Sequence, residues 1–555
     1  MRDAHRDLLG LLAATAIGLA AFFILIGYQT LIPTNIGWLS FADRGMHTLG
    51  WMFFRQAPWG IPPGRSPDLG IELSGSIALV DGLPLFALPF KLVGAWLPHP
   101  FQYWGDWLLL SFVLQAGFAY LIAREFGAGR LVALLAAAFA LITPALMFRI
   151  EMHLALSGHW TVLAALYLYV RRNPPSAWMW PLLVTTTSLI HAYLLALVMG
   201  LWAAALLERL WSRRLGWNIA LVEFGAGTIA TLAALWIAGF FVTPSIGTYG
   251  YGDYKLNLLW PILTYRGWSH VFPDLPHTKY DYEGLSFLGL GIFAVLILGI
   301  LSGGLGPLRA VLSRRWLPLA TMLLLFMLFA ISPKVAFADT TLFTIPLPQW
   351  AMDFGSTFRS TGRFVWPLLY VLTIGVVVLL GLRLRPVFAL PLLLAAFAAQ
   401  VADSSGALMN FHNHLGPVSD RWDSPLRSPF WERAAAAGYN RIRVMPVQNP
   451  GVDWRPLGYF AVTHHMAIDS AYLGRVDDRA MEMLRQHDRQ VLATGHFEPH
   501  TLYVLDAPSA YVASFNLRPG DLLTSIDDRI VLAPGGASLV EGLGIPPRID
   551  PADAG

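Results

Sequence analysis

Across 555 residues, hydrophobic side chains make up 55% and charged ones 13%, with a mean hydropathy of +0.53. A soluble domain needs more charge than this to cover its surface, so the composition predicts a polytopic membrane protein. The net charge of +3 is unevenly spread: from Asp403 onward there are 13 Arg, no Lys and 18 acids, a balance of −5 against +8 before it, which points to topology rather than to nucleic acid. With no cysteine, disulfides, thiolate nucleophiles and Cys-ligated metals are excluded.

Met1 to Gly10 runs into an apolar stretch from Leu8 to Leu31, too long for a signal-peptide core, which reads as a retained first span with Arg2 and Arg6 inside. The polar loop that follows (32–104) then lies outside and carries Asp43, Arg44, His47 and Arg55. Within it, Ile77 to Leu97 is apolar but interrupted by Asp81, Pro84 and Pro89, and it reads as a re-entrant or interfacial element that keeps Asp81 near the outer surface. Spans are expected at about Trp107 to Ala123, Leu131 to Phe148 and Thr161 to Val170, which puts Arg149, Glu151, His153 and His159 outside.

The apolar run from Trp178 to Leu210 begins and ends at cytoplasmic arginines, so two short helices meeting near His191 are expected, leaving a cavity. A span at Trp217 to Val242 leads to an outer loop with Asp253, Asp274 and Glu283. The chain then returns at Leu285 to Ile300, shows Arg309, Arg314 and Arg315 inside, and crosses at Trp316 to Ser332, Phe364 to Leu382 and Pro386 to Val401. This makes about eleven spans and places the tail outside.

The tail is long enough for one domain. Strand-like runs at Arg441, Thr501 and Ile530 alternate with helical stretches at Pro429 and Asp477, so the fold class is a polytopic α-helical membrane domain (1–402) followed by a small α/β domain (403–555). Ile545 to Gly555 reads as a frayed end.

Acids and arginines gathered at one membrane face suit an anionic ligand held at the lipid surface. Arg359 and Arg363 are four apart at a helix start, hence on one face, where two guanidinium forks can grip a phosphate. His47, Arg55, Arg149, His153, His159, Asp253 and Glu283 are read as the wall of the same cavity. Asp43, with Asp81 as the second candidate, is the acid available as a general base.

The segment from Arg149 to Trp160, GYGDYKLNLL from Gly250, YEGLSFLGLG from Tyr282 and FRSTGRFVWP from Phe358 resemble a bacterial group of GT-C-class membrane glycosyltransferases, most of them of unknown function. The resemblance covers about residues 1 to 400 and the tail only loosely. It implies an acidic base in the first outer loop, which falls on Asp43, and a sugar donor on a polyprenyl phosphate, whose phosphate would meet Arg359 or Arg363. The first loop lacks the Asp-x-Asp pair, so metal-independent transfer with no required cofactor is expected, divalent metal use being left open. The expected activity is inverting transfer to a lipid or glycan acceptor of the cell envelope, on the periplasmic side of a bacterial inner membrane. The alternatives are a transporter or flippase for a lipid-linked glycan, against which the absence of internal repeats weighs, and a non-enzymatic envelope assembly protein.

Overall fold

The computed structural model describes residues 2–549 except 74, 174, 245–249 and 303–312, with the side chains of 2–7 also left out. The expected cytoplasmic Arg309, the side chains of Arg2 and Arg6, and the last residues of the frayed end lie outside the described residues. Along the chain run α1 (Arg2–Leu25), α2 (Ala42–Gln56), α3 (Pro84–Leu92), α4 (Trp104–Glu125), α5 (Arg130–Leu141), α6 (Pro144–Met152), α7 (Trp160–Val170), α8 (Met179–Ser188), α9 (Ala192–Trp211), α10 (Trp217–Ile237) and α11 (Leu290–Leu301). Apolar helices follow at Leu317–Ile331, Trp366–Arg383 and Pro386–Asp403. The residues form two compact units, one of 1–38, 102–234 and 247–418, the other of 39–101, 235–246 and 419–555. Most of the first loop therefore groups with the tail, a division different from continuous blocks at 1–402 and 403–555.

Among the described residues of the helical unit, six helices are long and apolar enough to cross a membrane, or seven if α5 and α6, bent by 41°, act as one. Others of the eleven expected spans form shorter apolar helices, at Leu154–Val170, Leu290–Leu301 and Leu317–Ile331, where backbone breaks cut the apolar runs. Thr143-Pro144 divides α5 from α6, and Gly289, at positive φ, starts α11, which is only 12 residues long. The break near His191 is present, its Nδ1 accepting the Tyr193 N–H at the start of α9, but α9 runs for 20 residues and is not short. Within the unit, Arg209 of α9 grips Glu223 of α10 through two hydrogen bonds (2.6 and 2.9 Å), and Trp202 Nε1 donates to the same carboxylate (2.9 Å). Both charges are buried, so the fork geometry that satisfies them also locks the helix pair. A short antiparallel hairpin, β1 (Lys334–Phe337) and β2 (Thr340–Thr344), follows the helix Leu317–Ile331.

The second unit is an α/β sheet in the order β4-β3-β5-β7-β6. β3 (Arg441–Met445), β4 (Ala467–Ile468) and β5 (Thr501–Leu505) are parallel, while β7 (Arg529–Ala533) runs antiparallel to β5 and to β6 (Leu522–Ile526). All five residues of β5 are buried, as a parallel strand covered on both faces requires. The first loop completes this sheet. Ile468 N–H donates to Asp68 O and Gly70 N–H to Ile468 O, both at 2.8 Å, so residues 68–70 lie parallel beside edge strand β4 and cover it. Next to this seam the buried Arg443 of β3 donates to Glu72 (2.7 and 3.3 Å) and to Glu498 (3.1 and 3.2 Å). Asp469, fully buried, accepts Val444 N–H, and its carboxyl is pushed well above the usual range by burial. α2 rests on the helix Trp454–Thr463, where Arg455 donates to Ser40 O and any Cβ on Gly458 would stand 3.1 Å from Leu49. The element at Ile77 to Leu97 forms only the nine-residue α3 and a 3₁₀ turn at Gly94–Trp96, and nine helical residues are too short to cross a membrane.

Arg443→Met removes the buried partner of Glu72, while Glu498 keeps Arg441 (2.9 Å), and with both acids partly exposed it should cost about 1 to 2 kcal/mol; hydrogen exchange at Gly70 and Ile468 in the intact protein should lose protection first, and unchanged protection there would contradict the role assigned to the ion pair. Asp488 has its carboxyl raised to about 6 by burial, partly offset by the Val447 amide and Arg443. Its folded value exceeds the unfolded one, so stability falls as pH rises from about 4 to about 6. Asp488→Asn should therefore raise the Tm by a few degrees at pH 7.5 and leave it unchanged below about pH 4.

Candidate functional site

A buried charged cluster of the helical unit, in which two guanidiniums meet one carboxylate, is built on Glu283, which sits in a 3₁₀ turn, Asp281–Gly284. Asp281 fastens that turn: it accepts Thr278 N–H (2.9 Å), Thr278 Oγ1 (2.6 Å) and Asn257 Nδ2 (2.8 Å), and lies 3.7 Å from Lys255 Nζ. A second 3₁₀ turn, Thr361–Val365, carries Arg363. The two turns meet glycine to glycine, for a Cβ on Gly362 would stand 2.7 Å from Gly284 Cα and 2.9 Å from Lys255 O. No side chain fits there, which explains the glycines of the YEG and STGR segments and brings Arg363 to the carboxylate.

Glu283 Oε2 accepts from Arg363 Nη2 (2.8 Å) and Nε (3.1 Å) and from Arg149 Nη1 (2.8 Å), while Arg149 Nη2 reaches the carbonyls of Tyr282 and Glu283. Arg149 arrives on the last turn of α6, below the bend at Pro144, and faces the rings of Phe148 and Trp366. Arg363 also lies 4.5 Å from the Tyr193 ring. Burial alone would raise the Glu283 carboxyl, but the charges of Arg149 and Arg363 outweigh it and hold it at about 2. Two guanidiniums share one carboxylate oxygen in a buried place, and Arg359 adds to the positive field at Arg363. Such a site can take an anion and spread its charge over fork-shaped donors.

His153 and His191 have ring centres 5.1 Å apart, and His159 pairs through Nδ1 with Tyr370 Oη (2.7 Å) while lying 4.1 Å from the Trp366 ring. The structure thus gathers Arg149, Glu283 and Arg363 in direct contact. It does not place Arg359 and Arg363 on one helix face, because Arg359 lies ahead of the 3₁₀ turn in irregular backbone, 5.0 Å from the Tyr254 ring. Nor does Asp253 join the cluster: it pairs with Lys334 (2.6 Å) on a half-exposed surface.

In the loop-and-tail unit, Asp43 stands in the first turn of α2, and His47 follows one turn later, buried. His47 and Asp81 bring an imidazole nitrogen and a carboxylate oxygen within 4.8 Å, close enough for the imidazole to orient a carboxylate or for the two to join in holding a cation. Arg55 is occupied structurally, donating to the carbonyls of Gly94, Leu97 and Pro98. A separate cavity of about 460 Å³ opens past the end of β3, lined by residues 446–450 and Arg485, none of them an expected site residue. Tyr193, Tyr370 and the Lys255–Asp281 pair escaped the sequence reading. The tyrosines are embedded in apolar runs, but the polar spacing of Lys255, Asn257 and Asp281 was a usable signal.

Two family models match the chain, a domain of unknown function (DUF6311) over residues 15–405 and the DUF6311 C-terminal domain over residues 430–534. No curated protein matches it. The conserved-domain model spans the four segments that build the Arg149–Glu283–Arg363 cluster and covers well over half of the sequence, so the chain belongs to the DUF6311 family.

Proposed function

We propose that the chain is an inner-membrane glycosyltransferase of GT-C type that moves a sugar from a polyprenyl-phosphate donor to an envelope acceptor on the periplasmic face. The observation that carries this reading is the convergence of the Arg149 and Arg363 guanidiniums on one buried carboxylate oxygen, two planar forks of a kind that suits a phosphate group. In the proposed step a first-loop carboxylate, Asp43 or else Asp81 assisted by His47, takes the proton of the acceptor hydroxyl. The freed oxygen pair forms a bond to the anomeric carbon as the bond from that carbon to the phosphate oxygen breaks. The polyprenyl phosphate leaves with the bonding pair, and arginine stabilises the added charge, so no general acid is required.

Purified full-length protein in lipid, supplied with radiolabelled polyprenyl-phosphate sugars, should move label to an acceptor or to water. Asp43→Asn should lower transfer at least a hundredfold with donor binding intact, and Asp81→Asn is the parallel test of the second carboxylate. Label that stays on the lipid while changing leaflet would replace transfer with lipid flipping. Glu283→Gln tests the anion site directly. It keeps the shape while removing the only described carboxylate bound to both guanidiniums, so the ligand-free protein should melt lower and the donor should raise its Tm by more than it raises that of wild type. An equal or smaller donor shift would mean that the cluster is purely structural.

A further inference from the structure

Within the loop-and-tail unit, two stretches around α3 expose large apolar side chains that no other part of the unit covers: Trp96 is 82% exposed, Ile61 78% and Leu92 72%, with Trp59 half-exposed beside them. The stretches adjoin each other, since Lys91 Nζ of α3 lies 4.0 Å from the Phe54 ring and 4.6 Å from that of Trp59. The turn that displays Trp96 is held rigid, because Arg55 at the end of α2 donates to the carbonyls of Gly94, Leu97 and Pro98. Residues 51–67 and 82–101 contain Arg55, Arg65, Lys91 and His99 and no acid. Only seven residues separate Trp96 from Trp104, where a helix long and apolar enough to cross a membrane begins.

We infer that Trp59, Ile61, Leu92 and Trp96 form an interfacial anchor that inserts into the surface of an anionic lipid leaflet, with the surrounding cations at headgroup level. Tryptophan and aliphatic side chains on a rigid turn, ringed by cations without acids, match the apolar and anionic layers of a bilayer surface in order. A protein partner of ordinary composition would instead call for polar rim groups of both signs. Lys91 lies beneath the patch, its amine buried between aromatic rings where burial lowers it to about 8, so the cations left to face headgroups are Arg55 and Arg65. Arg55 and Asp43 share α2, so docking would also set the height of that helix at the lipid surface. The inference stands on the patch itself and does not depend on sugar transfer.

The chain has no cysteine, so single cysteines at Ile61 or Trp96 can carry an environment-sensitive fluorophore in the full-length protein, with Asp423, whose side chain is 94% exposed, as the water-facing control. In phosphatidylcholine vesicles containing phosphatidylglycerol, labels at 61 and 96 should be quenched several-fold more by headgroup-region nitroxide lipid than the label at 423, and several-fold less by aqueous iodide. Omitting phosphatidylglycerol should reduce lipid quenching at 96, and Arg65→Gln, at an exposed cation, should flatten that dependence. Iodide quenching at 61 and 96 equal to that at 423 would overturn the inference, as would shielding that grows with protein density rather than with lipid, which would assign the patch to a second copy.

Discussion

A single carboxylate oxygen shared by two guanidiniums, Glu283 Oε2 between Arg149 and Arg363, sets the organisation of the helical unit. Three stretches far apart in sequence must arrive together for that contact to exist: the bent end of α6, the turn fastened by Asp281, and the 3₁₀ entry to the helix Trp366–Arg383. Each is shaped by a local device, Pro144 for the bend, Asp281 for the turn, and the facing glycines 284 and 362 for the close approach. None of these devices is chemical in itself. Together they deliver three charges to a buried point, where removing any one would leave the others without solvent to screen them.

The loop-and-tail unit solves a related problem with backbone rather than charge. A short edge strand such as β4 would leave its peptide groups open, and residues 68–70 cover them by pairing with Ile468. Glu72, two residues on, then meets Arg443 from the neighbouring strand. Gly474 N–H of the same tail donates to Leu79 O, and the tail holds α2 through Arg455 and Gly458. Both ends of the stretch from Asp43 to Asp81 are therefore fixed by the tail, which makes the tail part of the scaffold of the first loop.

Local signals in the sequence were read well where they determine local structure. The strand runs at Arg441, Thr501 and Ile530 and the helical stretches at Pro429 and Asp477 all form as their periodicity implies. The break at His191 was legible because charge at both ends of one apolar run demanded it. Hydropathy records apolar length and is blind to the hydrogen-bond break at Thr143-Pro144 or to a start as late as Leu290, so an apolar run does not give the length of its helix. Arg149, Glu283 and Arg363 are each legible as candidates, but their union spans more than 200 residues of chain and leaves no local trace. The Arg359 and Arg363 pairing failed for a definite reason: spacing of four implies one face only if the backbone is helical at both, and at Arg359 it is not. The membership of 39–101 in the tail unit was hidden for the same kind of reason, because edge-strand pairing depends on peptide groups that every sequence supplies.

The sharing of one oxygen at Glu283 differs from another buried ion pair of the same unit. The pair of Arg209 with Glu223 shows what a lock looks like here: one guanidinium, one carboxylate, two matched hydrogen bonds and a tryptophan N–H to complete the acceptor set. At Glu283 one carboxylate oxygen is shared by two guanidiniums, both buried, so its acceptor capacity is divided between them. Two forks turned to one point suit an anion, and their planar geometry favours a group with several oxygens on one centre, which is the shape of a phosphate.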